Sequence, residues 1–133
     1  MKIKKPTLIQ RRANVRRWVR ALRSGKYKKG KGQLRIDCGS GGYLYCCLGV
    51  ACEALGVPYF GTDKGLPYRA REMLGIKSPY GNYLASRKRK THIRGVSTGI
   101  GSLTEDNDRR CKSFEQIADI IESRPKDLFE EGV

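Results

Sequence analysis

The chain has no stretch approaching the roughly 20 consecutive apolar residues that a membrane-spanning helix requires, so no membrane partner is expected. Met1-Lys2-Ile3-Lys4-Lys5-Pro6 leads into arginines where a secretory signal would carry an apolar core. A cytoplasmic setting is therefore expected. Histidine occurs once, as His92, and cysteine five times, an odd number that includes the adjacent pair Cys46 and Cys47. Adjacent cysteines rarely bridge one another, so the sulfurs read as thiols and no disulfide framework is expected. The most informative gap is one of charge: the first 36 residues contain neither Asp nor Glu.

In that acid-free third stand fourteen Lys or Arg residues, whereas from Glu105 onward nine acids face five bases. The whole chain carries a net charge of +15. Such asymmetry along the sequence points to a polyanion at one face. At 133 residues, with 38% hydrophobic and 31% charged side chains, the chain has the size and composition of one domain with one core. The expected fold class is α+β, with about four helices packed around a short β-hairpin. A single domain over 1–133 is expected, with a basic N-terminal segment 1–32 and a basic loop insert at about 78–102.

The local signals are as follows. Thr7 with Gln10 three residues on forms a capping box, and Ser24-Gly25 stops the helix it opens. Val15, Trp18, Val19 and Leu22 then fall at i, i+3, i+4 and i+7 and make one apolar face. Arg12, Arg16, Arg17, Arg20 and Arg23 spread over an arc away from the centre of that face. Residues 25–32 hold Lys26, Lys28, Lys29 and Lys31 among glycines and are expected to be a mobile loop. A hairpin is predicted from Gln33-Leu34-Arg35-Ile36-Asp37 and Tyr43-Leu44-Tyr45, with Gly39-Ser40-Gly41-Gly42 as its turn. Residues 46–55 are apolar nearly all round and end at Gly56, which predicts a buried helix. Pro67 opens a shorter helix that runs to Leu74-Gly75, residues 78–102 read as loop or short strands, and Ser113 with Gln116 caps a last helix. Leu128 and Phe129 are expected to fold back onto the core.

The candidate polyanion-binding set is Arg12, Arg16, Arg17, Arg20, Arg23, Lys26, Lys28, Lys29 and Lys31, joined by a second cluster of Arg87, Lys88, Arg89, Lys90, His92 and Arg94. Lys and Arg neutralise phosphates and release counterions without reading sequence. Tyr27, Tyr43 and Tyr45 are interleaved with these bases and are candidates for stacking on unpaired bases. A recognition helix with its turn is not evident, so sequence-specific reading of DNA is not expected.

Catalytic chemistry finds less support. Cys38, Cys46, Cys47 and Cys52 with His92 or Cys111 are zinc-type ligands, but their spacing matches none of the recurrent paired knuckles. Cys46, Cys47 and Cys52 read as small core residues, and neither metal nor cofactor is expected. A cysteine nucleophile would be Cys46 or Cys47 at a helix start with His92 as base, yet His92 sits in a basic segment that would not orient it. Gly39-Ser40-Gly41-Gly42 lacks the Gly-Lys-Ser/Thr step of a phosphate-binding loop and reads as a turn. Asn107-Asp108 reads as a turn and cap ahead of the last helix, with ligand binding as the alternative. No catalytic residue is assigned, and the protein is not expected to be an enzyme.

Several blocks follow one another in the chain: Arg17-Trp18-Val19-Arg20-Ala21-Leu22-Arg23-Ser24-Gly25-Lys26-Tyr27, Gly32-Gln33-Leu34-Arg35, Tyr45-Cys46-Cys47-Leu48-Gly49-Val50-Ala51-Cys52, Leu66-Pro67, Leu74-Gly75, Asn107-Asp108 and Ser113-Phe114-Glu115-Gln116-Ile117-Ala118-Asp119. In this order the chain resembles a family of small, uncharacterised proteins of tailed bacteriophages and prophages. The resemblance runs, with gaps, over residues 17–123 and implies a setting but no catalytic residues. The chain departs from the family pattern in its solidly arginine first helix and in the basic insert around Arg87. Taken together, the expectation is a phage-type accessory protein that binds a polyanion, nucleic acid foremost, through a basic N-terminal helix and loop. The alternative is a host-directed protein that inhibits or sequesters a host protein or a nucleotide signal.

Overall fold

Thr7 opens the first helix through the reciprocal bonds its sequence predicts. In a computed structural model that describes residues 5–84 and 100–133, the first helix, α1, spans Leu8–Arg23. The Gln10 amide donates to Thr7 Oγ1 at 3.1 Å, and the Thr7 amide donates to Gln10 Oε1 at 2.8 Å. Two of the orphan donors at the helix start are thereby satisfied. Val15, Trp18, Val19 and Leu22 are buried as the spacing predicts, each contributing about 1.5–3 kcal/mol or more by leaving water. Trp18 cannot be buried without a partner for its indole N–H, and it donates that proton to the Cys47 carbonyl at 2.9 Å.

That carbonyl belongs to the second helix, α2 (Cys47–Leu55), against which α1 lies. The helix starts one residue later than the apolar run suggests, because Cys46 is its N-cap, with Sγ accepting from the Gly49 amide at 3.4 Å. It ends at Gly56, whose φ of 68° is the left-handed conformation that glycine adopts at little cost. Gly49 faces Leu34, the residue that leads into the first hairpin. That hairpin pairs β1 (Arg35–Asp37) with β2 (Tyr43–Tyr45) antiparallel, with Arg35 opposite Tyr45 and Asp37 opposite Tyr43.

Helix α3 (Tyr68–Leu74) follows Pro67 and stops at Gly75. A second antiparallel hairpin, β3 (Asn82–Leu84) with β4 (Ile100–Ser102), supplies short strands at the two ends of the expected loop insert. Arg87, Lys88, Arg89, Lys90, His92 and Arg94 lie outside the described residues. Helix α4 (Leu103–Asp108) then forms where a turn was expected, capped by Ser102 Oγ accepting from the Glu105 amide at 3.0 Å. Helix α5 (Phe114–Glu122) begins at the Ser113–Gln116 capping box and buries Ile117, Ala118 and Ile121. Leu128 and Phe129 return to the core, and Phe129 bridges to Ile76.

The chain is thus a single small α+β domain, with five helices and two small antiparallel hairpins among the described residues. Its centre is helical: α1 packs on α2, α3 and α5, and α2 packs on α4. Among the described residues no helix is long and apolar enough to cross a membrane.

Candidate polyanion-binding face

The lysine-rich loop, expected to be mobile, is pinned at its middle. The Gly30 amide donates to the Tyr45 carbonyl at 2.7 Å and the Tyr45 amide to the Lys28 carbonyl at 2.8 Å. Residues 28–30 therefore run beside β2 as a short parallel bridge. Asn107 closes the anchor from the other side: its Nδ2 donates to the Gly30 carbonyl at 2.8 Å, and Lys29 Nζ donates to the Asn107 carbonyl at 2.7 Å. Glycine content and like charge both argued for mobility. Backbone pairing with a strand and a buried amide far along the chain override them.

This anchoring sorts the predicted bases. Lys26 and Lys28 remain exposed, Lys29 is half-buried against Asn107, and Lys31 Nζ lies 2.8 Å from Cys111 Sγ. On α1, Arg16, Arg17 and Arg20 are exposed and make no ion pair among the described residues, whereas Arg12 donates to the Gly132 carbonyl at 2.8 Å. Arg23 departs from the expectation most. It pairs with Glu115, with Asp119 at 2.9 Å and with Glu122 at 2.5 Å, all on α5. Those three bonds hold its guanidinium charge more firmly still and occupy it. The charge asymmetry of the sequence is accordingly softened in space, because the acidic end of the chain folds along one flank of the arginine helix.

The tyrosines gather around the hairpin. Tyr27 and Tyr45 meet edge to face with ring centroids 5.2 Å apart, and Tyr43 lies 6.3 Å from Tyr45. Tyr27 and Tyr45 are half-buried, while Tyr43 is exposed. Burial raises the Tyr45 phenol above its ordinary range, so it stays neutral. Arg35 stands between two rings, its guanidinium carbon 4.6 Å from the Tyr43 centroid and 5.3 Å from that of Tyr59. Tyr59 is fixed in turn by donating its hydroxyl to Glu53 Oε2 at 2.6 Å. From sequence alone Arg35 falls in the predicted hairpin and among the basic residues but not in the candidate binding set, and Tyr59 is not singled out. Strand alternation held the clue, since Arg35, Tyr43 and Tyr45 share one face of the hairpin.

A buried polar junction ties this face to the core. Asn107 is fully buried, and its Oδ1 accepts from the Cys47 amide at 3.1 Å. Beside it Asp106, also buried, accepts from the Tyr83 hydroxyl at 2.5 Å and from Arg110 Nη1 at 2.9 Å. Desolvation, then the bond to Asp106, raises the Tyr83 phenol. Asn107 and Asp108 are therefore residues of α4 and no cap for α5, and the hydrogen-bonding groups of Asn107 are satisfied within the protein.

Cys46, Cys47 and Cys52 are buried as core residues, while Cys38 and Cys111 are exposed. Burial pushes the Cys46 thiol up to about 11 and Cys52 to about 12, with Cys47 raised well above its ordinary value. The Lys31 ammonium acts in the opposite sense on Cys111 and lowers it. Alkylation of the native protein followed by mass spectrometry is expected to label Cys38 and Cys111 and to spare the other three until the chain is unfolded. Lys31→Met should move the alkylation profile of Cys111 to higher pH, since a cation that favours the thiolate has been removed; an unmoved profile would contradict the contact. Among the described residues no group of three or more His, Cys, Asp or Glu is placed to hold a metal ion.

A family model described as "Domain of unknown function (DUF8296)" matches residues 11–57. No curated protein and no solved structure matches the chain. The matched residues cover most of α1, the pinned loop, the first hairpin and α2. They hold Arg16, Arg17, Arg20, Arg35 and the tyrosines of the hairpin, and they exclude Asn107.

Proposed function

We propose that this protein is a non-enzymatic accessory protein of phage type that binds the phosphate backbone of nucleic acid through Arg16, Arg17 and Arg20 on α1, with Lys26 and Lys28 beyond its end. The observation that carries the reading is the state of those arginines. They project from a helix fixed to the core by Trp18, and no acid pairs with them among the described residues, whereas Arg23 on the same helix is occupied by three. Three cations held in place and left unneutralised make a ready phosphate contact, and each phosphate neutralised releases counterions.

The test is a fluorescence anisotropy titration with labelled DNA and RNA at rising salt. Affinity should fall steeply with salt, and replacing Arg16, Arg17 and Arg20 together by Ala should flatten the slope of log affinity against log salt by about 2–3 for a duplex. Arg23→Ala should change that slope by less than about 1, because its charge is already spent on α5. Absence of binding at low salt would end the proposal.

A further inference from the structure

We infer that the nucleic acid bound is single-stranded, its unpaired bases stacking on Tyr43 and Phe60 beside the Arg35 guanidinium while its phosphates run toward Lys26 and Lys28. The inference rests on the proposed polyanion binding and adds the kind of strand.

The geometry is that of a narrow layer. Residues 28–30 pair with β2, β2 pairs with β1, and β1 is flanked on its far side by residues 61–63, through the Arg35 amide donating to the Gly61 carbonyl at 3.0 Å and the Leu34 amide to the Asp63 carbonyl at 2.7 Å. Four chain segments thus lie side by side, spaced by about 4.8 Å where they pair as strands. Lysine marks one edge of this layer and Phe60 the other, with Tyr43 and Arg35 between.

Exposure separates the two halves of the surface by chemistry. Phe60 is 77% exposed and Tyr43 is 41% exposed, two aromatic rings left to solvent, with Phe60 one residue before the Gly61 carbonyl that accepts from the Arg35 amide. Tyr43 is also held still: Arg35 covers one of its faces and Tyr59 backs the guanidinium. Its exposed area therefore lies on the opposite face and edge, ready for a flat partner. Duplex DNA buries its base faces in its own stack and offers an aromatic ring little to stack on, whereas every unpaired base presents a π-face.

Charge fixes the direction. Asp37 stands opposite Tyr43 in the hairpin register, with Oδ1 accepting from the Gly39 amide at 2.8 Å. A carboxylate there disfavours a phosphate over Tyr43 and leaves a neutral base as the fitting occupant. Phosphates are drawn instead to the lysine edge and on toward Arg20 and Arg17. Arg35 serves both halves, as a cation within reach of the backbone and as a planar group in the aromatic stack.

The experiment compares length-matched single-stranded DNA, single-stranded RNA and duplex DNA by anisotropy at one moderate salt concentration, for the native protein, Tyr43→Ala/Phe60→Ala and Tyr43→Phe. Thermal melts of each variant confirm the fold, which both exposed positions should leave intact. Single strands are expected to bind at least about tenfold more tightly than duplex. The double substitution should weaken single-strand binding by roughly 5- to 150-fold for each stacked base lost, leave duplex binding and the salt slope unchanged, and Tyr43→Phe should retain affinity. Equal affinity for duplex and single strand, or an unaffected double variant, overturns the stacking inference while leaving backbone binding intact. Loss of all binding at low salt would instead overturn the polyanion reading, and this one with it.

Discussion

Gly49→Ala is expected to be the most damaging glycine-to-alanine change among the described residues. A Cβ built at Gly49 would sit 2.0 Å from the Leu34 carbonyl oxygen and 2.9 Å from its carbonyl carbon. Both atoms are backbone and cannot swing aside. The same carbonyl accepts from the Cys46 amide at 3.2 Å, so relieving the clash would pull the hairpin away from the start of α2 and break that bond as well. Overpacking usually costs 1–3 kcal/mol when side chains can give. Here backbone meets backbone, and a loss of about 3 kcal/mol or more is expected, a large share of the 5–15 kcal/mol that holds a typical domain. Circular dichroism melts should show a Tm lower by about 10 °C or more, or no cooperative transition. Gly42→Ala is the matched control, because a Cβ there meets nothing within 4 Å. A Gly49→Ala protein that melts within 2 °C or so of the native one would show that the α2–hairpin contact is looser than described.

Asn107→Ala should come next. The substitution removes the acceptor for the Cys47 amide and the donor for the Gly30 carbonyl, both in buried residues. Each buried backbone group left unpaired costs about 1–3 kcal/mol, so for the two groups a loss of about 2–6 kcal/mol is expected, read as a fall in Tm and in urea midpoint. The effect should also be local. Hydrogen exchange at the Gly30 and Tyr45 amides should speed up more than exchange at Val19 or Ile117, because the pinned loop loses its anchor while α1 and α5 keep their packing. Uniform acceleration across the molecule would mean that Asn107 supports the fold generally and does not hold the loop.

The difference between these sites and the rest of the fold explains what could be read beforehand. Local, periodic signals were legible: the Thr7–Gln10 and Ser113–Gln116 boxes, the apolar face of Trp18 and its neighbours, and the stops at Gly56 and Gly75. Helix α4 was not, because Leu103-Thr104-Glu105-Asp106-Asn107-Asp108 has one apolar residue and three turn-favouring ones. It is helical because Asp106 and Asn107 find buried partners in Tyr83, Arg110, Cys47 and Gly30. The anchored loop and the occupied Arg23 were hidden for the same reason. Their partners stand 77 residues away in the first case and 92–99 residues away in the second, beyond any window in which charge or propensity is read. At the candidate site the exposed arginines of α1 were identifiable from the helical arc, whereas the Arg35 sandwich depends on which face of a hairpin each residue occupies and on Tyr59, far from both strands in sequence.

The Arg23 clamp also sets a border. Glu115, Asp119 and Glu122 line the flank of α1 on which α5 lies, and Arg23 neutralises only part of their charge. Under the proposed function, a strand following Arg16, Arg17 and Arg20 would meet repulsion on that flank and open cations beyond the end of the helix. If the proposed binding holds, the footprint would be one-sided: the acidic helix would act as a fence that steers a bound chain off α1 and onto the hairpin, giving a small domain a defined path where a uniformly basic surface would allow many.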